Sequence, residues 1–171
     1  MQATIFNVTN GSLPVYGNGA CKVVTGNNST YYVTAQPTAY PPLASAGIQS
    51  VLCVRDPAEY NTQPNPFDLT EADTLILENI SYTNVPLPHI SMLQDQFNMQ
   101  AYNAAVVIDA WKGPLLVHCS SGDRASSAFA VFMIQFCGWP NAQAASFAQT
   151  ELALANPQFV QWVNAYTSPD A

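Results

Sequence analysis

The apolar positions of this chain fall into short blocks whose spacing alternates between strand-like and helix-like periods. Tyr31-Tyr32-Val33-Thr34 is aromatic and β-branched, the profile of a short strand. Pro37 to Gly47 reads as a turn followed by a helix that Gly47 stops. Ile48 to Val54, apolar at Ile48 and continuously from Val51, lies ahead of Asp56-Pro57 and suits a parallel strand buried on both faces. After a Pro- and Asn-rich loop from Pro57 to Pro66, Thr70 to Asn79 has helical character, with Leu69, Ala72, Leu75 and Ile76 on one face. Ile80 to Leu87 alternates as a strand and ends at Pro86 and Pro88.

Further along, Ser91-Met92-Leu93-Gln94 has the form of a capping box, with Ser91 as N-cap of a helix that runs to about Trp111. Lys112-Gly113-Pro114 ends that helix, and Leu115 to His118 is a short buried strand leading into Cys119. Arg124 to Phe136 is a strongly apolar helix stopped by Gly138 and Pro140, and two helices near 142–155 and 158–166 close the chain. Strands alternating with helices predict a single α/β domain over residues 1–171, with a mainly parallel central sheet flanked by helices. Within it, residues 1–30 form a loop-rich lead-in with hairpin pieces and residues 31–167 the core. Sites in such sheets lie beyond the carboxyl ends of strands, which is where Cys119 falls.

Composition narrows the chemistry. Nearly half of the 171 residues are hydrophobic, enough for a real core, while only 9% are charged. The net charge is −7, and Lys22, Arg55, Lys112 and Arg124 are the only cations. Four scattered cations make no basic patch, so nucleic acid and anionic membranes are not expected partners. The N-terminus has no signal-peptide pattern and no apolar stretch reaches spanning length, so a cytoplasmic address is the default expectation. Cys53 and Cys137 lie in apolar runs and read as buried small hydrophobes; disulfides among Cys21, Cys53 and Cys137 stay open. With no Cys-x-x-Cys pair and only His89 and His118, no metal or other cofactor is expected. Nothing in the pattern sets an oligomeric state.

The chemistry concentrates in Val117-His118-Cys119-Ser120-Ser121-Gly122-Asp123-Arg124. A buried strand feeds a short loop that opens a helix, so the backbone N–H groups of 120–124 can curl around an anion at the positive end of the helix dipole. Gly122 supplies the backbone freedom such a loop demands. The same field favours the thiolate, nucleophilic form of Cys119, and Arg124 offers a planar fork to two oxyanion atoms. Asp123 is read as N-cap of the following helix, and His118 as a residue that orients the loop rather than a base. Arg55, ending a buried strand, either reaches the anion or pairs with Glu59.

The run HCSSGDRASSA resembles the signature loop of the beta-lactamase hydrolase-like (rhodanese-related) phosphatases, a branch of the dual-specificity phosphatase fold. Tyr31 to Pro37 is similar to that family's strand ending in Gln-Pro, Ala46 to Arg55 to its second strand, and Tyr82 to Leu87 to its strand ending in an Ile-Pro-Val-like sequence. Together these cover roughly residues 30 to 137. The resemblance implies a cysteine-dependent hydrolase of phosphomonoesters that works through a cysteinyl-phosphate intermediate. Its partner would be a small phosphorylated substrate or a phosphoprotein.

Two departures from the pattern matter. Cys119 and Arg124 enclose four residues, where most tyrosine and dual-specificity phosphatases have five. Four is the length in rhodanese sulfurtransferases, so a Cys119 persulfide carrier, like a phosphate-binding protein with little catalysis, stays open as an alternative. Ala125 also follows the Arg where those enzymes place Ser or Thr to hold the leaving thiolate, so Ser126, or Ser120 within the loop, would substitute. The general acid of related enzymes follows the strand equivalent to Tyr82–Leu87. Here His89 and Asp95 are the candidates, each also readable as a helix-start or surface residue.

Overall fold

A computed structural model describes residues 2–56, 71–87, 93–111 and 113–169. Six strands form one mixed sheet: β1 (Asn7–Asn10), β2 (Cys21–Gly26), β3 (Ser29–Thr34), β4 (Ser50–Cys53), β5 (Ser81–Asn84) and β6 (Leu115–His118). Their order is β1-β2-β3-β6-β4-β5, and the pairings β3–β6, β6–β4 and β4–β5 are parallel. The lead-in adds the two antiparallel pairings at one edge. Asn27 and Asn28 link β2 to β3 with φ of 54° and 57°, the two-residue turn whose twist matches a hairpin.

Helices α1 (Pro41–Ser45) and α2 (Glu71–Leu77) cover one face of the sheet, and α3 (Gln94–Ala110), α4 (Asp123–Cys137), α5 (Asn141–Glu151) and α6 (Pro157–Asn164) the other. The alternation of side chains along β6 divides two cores. Leu115, Val117 and Cys119 join the α3–α6 side, and Leu116 joins Leu43 of α1 and Leu75 of α2. On the α4 side, Phe129 meets Phe6 at 5.6 Å, Tyr31 at 5.2 Å and Phe132 at 5.4 Å, a cluster that pins the lead-in to the central helix. Helix α4 is buried from Arg124 to Met133 because it lies between the sheet and its sister helices, which explains a sequence that is apolar almost all round.

Three sequence expectations are corrected. Leu93, not Ser91, is the N-cap of α3, and its N–H donates to Gln96 rather than Gln94, at 2.8 Å; Ser91 itself lies outside the described residues. The core face of α2 runs through Leu75 and Glu71, while Ile76 is 63% exposed. Gly122 in the left-handed region, φ 110°, is the N-cap of α4, so Asp123 is its first helical residue. The Asp123 carboxylate turns away from the helix and accepts the N–H of Ala155 at 3.0 Å. The expected loop from Pro57 to Pro66 lies outside the described residues. Among the described residues, no helix is long and apolar enough to cross a membrane.

Candidate active site

Strand β6 is the keel of the site. It lies between β3 and β4, with Thr34 and Cys53 as the register partners of His118, so the next residue, Cys119, emerges at the carboxyl ends of three parallel strands. Cys119 is 1% exposed. The loop that follows is anchored at once, because the Ser120 carbonyl accepts the N–H of Gln36 at 3.0 Å. Gly122 then donates its N–H to the Cys119 sulfur at 3.1 Å, which fixes the sulfur at the opening of the turn. A Cβ at Gly122 would have room, so its positive φ is what calls for glycine there.

Arg124 sits one position inside α4, is 3% exposed, and donates from Nη1 to the Leu87 carbonyl at 3.2 Å. The guanidinium thereby ties the start of α4 to the chain leaving β5. Beside the loop is a crevice of about 210 Å³ lined by Asn18, Gly19, Ser121, Gly122, Asp123 and Ala155. Gly19 makes that approach possible, since a Cβ there would fall 2.2 Å from the Ala35 methyl. Ser126, a candidate for holding the sulfur, donates its hydroxyl to the Leu152 carbonyl at 2.9 Å instead and ties α4 to the end of α5.

On the opposite face of β6 lies a buried polar chain. His118 Nε2 is 2.9 Å from Glu71 Oε1, a charge contact bent away from ideal hydrogen-bond alignment, and His118 Nδ1 is 3.3 Å from the Cys119 carbonyl. Gln36 Nε2 donates to the same Glu71 oxygen at 3.1 Å, and Arg55 Nη1 donates to Gln36 Oε1 at 3.2 Å. Asn84 clamps the exit of β4, donating to the carbonyls of Cys53 and Arg55 at 2.9 Å each. Burial is the largest influence on both charged partners and opposes their ionisation. For Glu71 the charge and hydrogen bonds of His118, Gln36 and Tyr82 outweigh it, and the carboxyl is held below its usual range. For His118 the Glu71 charge and the Cys53 thiol outweigh it, and the imidazole is held well above its usual range.

Cys53, Glu71 and His118 also place a sulfur, an oxygen and a nitrogen within 4.8 Å of one another, a donor set suited to a soft divalent cation. Charge argues for the ion pair in that space: His118 already lies 2.9 Å from the Glu71 carboxylate, and a cation would have to displace the imidazole proton. All four cysteines are free thiols. Burial pushes the Cys21 thiol up, and burial with the nearby Asp109 charge takes Cys137 up to about 11, so neither competes with Cys119 as a nucleophile.

Of the sequence-selected residues, Cys119, Ser120, Gly122 and Arg124 are brought together, and Ser121 is exposed on the rim. Arg55 is buried and joins the chain behind the loop; Glu59 lies outside the described residues. Asp95 is exposed in the first turn of α3, where it lines one surface cleft with Met99 and Gln100 and another with Thr167 and Pro169. His89 lies outside the described residues. Glu71 and Gln36 are the residues that sequence reasoning gave no role. The available signal for Glu71 was its spacing, one helical turn before the buried Leu75.

Solved structures place this arrangement in a known fold. The chain superposes on kinase associated phosphatase carrying a serine in place of its catalytic-site cysteine, with TM-score 0.58 and 14% identity over 80% of this chain and 85% of that one. It superposes equally on P. aeruginosa TpbA bound to pTyr, with TM-score 0.55 and 16% identity over 84% and 81% of the two chains. The catalytic domain of the PP-IP phosphatase Siw14 from S. cerevisiae gives TM-score 0.56 and 15% identity over 80% of each chain. The fold is that of the tyrosine- and dual-specificity-type cysteine phosphatases. No protein-family profile matches the sequence, and no curated protein sequence matches it. In this fold Cys119 directly follows the central strand β6, and α4 begins four residues later at Asp123.

Proposed function

We propose that this chain hydrolyses phosphomonoesters at Cys119. The observation that carries the reading is the pairing of a buried Cys119 sulfur, which accepts the Gly122 N–H at 3.1 Å, with the buried Arg124 guanidinium held by the Leu87 carbonyl. The Cys119 thiolate attacks phosphorus, the bond to the leaving oxygen breaks, and a cysteinyl phosphate forms. Water then attacks that phosphorus, inorganic phosphate departs and the thiolate returns. Arg124 and the amides of Ser120, Ser121, Gly122 and Asp123 are the groups that stabilise the equatorial oxygens. His89 and Asp95 remain the candidate general acids, and the exposed position of Asp95 favours His89.

Charge refines the substrate class. Two of the four cations, Arg55 and Arg124, are buried at or behind the loop. A net charge of −7 repels polyanions. A phosphoester on a neutral or basic scaffold, such as phosphotyrosine with basic neighbours, therefore suits this site better than an inositol pyrophosphate.

The four-residue spacing between Cys119 and Arg124 favours one second reading, sulfur transfer through a Cys119 persulfide in a rhodanese-related branch. Turnover of p-nitrophenyl phosphate and of thiosulfate, each with wild type and Cys119→Ser, separates the two. The phosphatase reading expects phosphate release that Cys119→Ser abolishes. Thiosulfate turnover alone supports the second reading, and phosphate binding without either turnover overturns both.

A further inference from the structure

We propose that Glu71 is a positioning residue for the Cys119 site: it holds the His118 imidazolium, which in turn holds the Cys119 carbonyl. The inference rests on Cys119 being the reactive group. The argument is a count of protons. His118 is wholly buried and Glu71 is 4% exposed, so bulk water serves neither. The two ring nitrogens face two acceptors, the Cys119 carbonyl at 3.3 Å and the Glu71 carboxylate at 2.9 Å. A neutral imidazole has one N–H and would leave the other nitrogen's lone pair against an oxygen. Only the imidazolium puts an N–H toward the Cys119 carbonyl and a positive charge against the Glu71 carboxylate, and only a nearby anion makes a buried imidazolium stable.

The groups around His118 come from every neighbouring element. Glu71 approaches from α2, Cys53 from β4, Gln36 from the exit of β3, and Arg55 lies beyond Gln36; Tyr82 of β5 reaches Glu71. Glu71 is the one carboxylate in this set. Because His118 and Cys119 project from opposite faces of β6, the imidazolium lies behind the nucleophile rather than in the substrate's path. It fixes the Cys119–Ser120 peptide, the first of the loop whose Gly122 N–H meets the sulfur. That peptide leads into the turn that sets the Gly122 N–H against the sulfur, so loosening it weakens the contact that holds the sulfur in place. A residue that merely filled space or balanced charge would do so without reaching Cys119.

The decisive variant is Glu71→Gln, which keeps size and hydrogen-bonding capacity but removes the charge. A glutamine amide can donate to a neutral His118 Nε2, so the side chains stay in contact while the imidazole loses its proton. The chain has only His89 and His118, so imidazole NMR resolves the two titrations. In the wild type the His118 imidazole keeps its proton well above the ordinary histidine range, and in Glu71→Gln it gives the proton up at lower pH. Alkylation of Cys119 by iodoacetamide at neutral pH, read by mass spectrometry on the tryptic peptide 113–124 whose only cysteine is Cys119, falls roughly tenfold in Glu71→Gln. With an aryl phosphate, kcat falls to a similar extent and KM changes little.

The His118→Asn background separates positioning from plain stabilisation. There Glu71→Gln should no longer slow alkylation, because the group through which it acts is gone. An equal slowing in that background, or two ordinary histidine titrations in the wild type, overturns the proposal. The wild-type titration needs no variant, so the test survives even if Glu71→Gln fails to fold. Alkylation does not depend on phosphate turnover: if alkylation follows Glu71 but no phosphoester is cleaved, the positioning role stands and the phosphatase reading falls.

Discussion

His118 and Cys119 are neighbours in sequence and live in different media. Cys119 turns toward the α3–α6 side, where its neighbours are Val117, Ala125 and the aromatic cluster around Phe129. His118 turns toward α2, into a chain of Glu71, Gln36 and Arg55 that holds one anion and one cation besides the imidazole. The first side is held by dispersion and area and is indifferent to pH. The second is held by charges whose burial is costly unless all of them are present. One strand thus joins a rigid apolar wall to an ionic brace, with the reactive sulfur at the junction. A site built this way fails differently when each side is disturbed.

The largest expected effect lies on the apolar side. Phe129→Ala removes the ring that touches Phe6, Tyr31 and Phe132 and should destabilise by about 3–5 kcal/mol, read as a shift in denaturant midpoint. The loss should be the same at pH 6 as at pH 8, since burial pushes the hydroxyl of Tyr31, the titrating ring of that cluster, above its ordinary range. A strongly pH-dependent loss would erase the distinction between the sides.

Next comes the site mouth. Arg124→Lys keeps the charge but gives up the planar fork and the geometry of the Leu87 contact, so kcat/KM for an aryl phosphate should fall by roughly 10²-fold with stability little changed. Retention of full activity would show that a point charge suffices and that the fork is not used.

The smallest effect sharpens the ionic side. Glu71 has a lowered folded pKa, so its contribution is present above the ordinary carboxylate range and is lost as pH falls through the folded value. His118 has a raised folded pKa, so its contribution is present below the ordinary histidine range and is lost as pH rises through the folded value. The brace therefore stabilises most between those limits, from mildly acidic to above neutral pH. Thermal melts across pH should show that plateau in the wild type and a flatter profile in Glu71→Gln. Parallel profiles would mean that the pair contributes nothing to the folding balance.

Sequence showed one of these sides far better than the other. Leu115 to His118, the Gly138 stop after α4 and the mostly apolar segment from Ile48 to Val54 each follow from local pattern, and each became the element it suggested. The loop from Cys119 to Arg124 was legible because strand, glycine and helix start are adjacent in the chain. The ionic brace was not, because its members stand at 36, 55, 71 and 118 and meet only through the sheet register. Glu71 was hidden further by Ile76, whose apolar side chain suggests the wrong face of α2 as buried. Asp123 and Ser126 look like loop-serving residues in sequence, yet their partners are Ala155 and Leu152, in the segment after α5 that no local pattern brings near.

The central claim is that Cys119 forms a covalent bond to phosphorus during turnover. The most direct measurement is acid quench of the enzyme with p-nitrophenyl phosphate within the first turnover, followed by tryptic digestion and mass spectrometry of peptide 113–124. The account predicts that this peptide gains one phosphoryl group on Cys119, that the species decays with the release of inorganic phosphate, and that Cys119→Ser shows neither. Phosphate release at the wild-type rate with no phosphoryl group on Cys119, or from the Cys119→Ser protein, would contradict it.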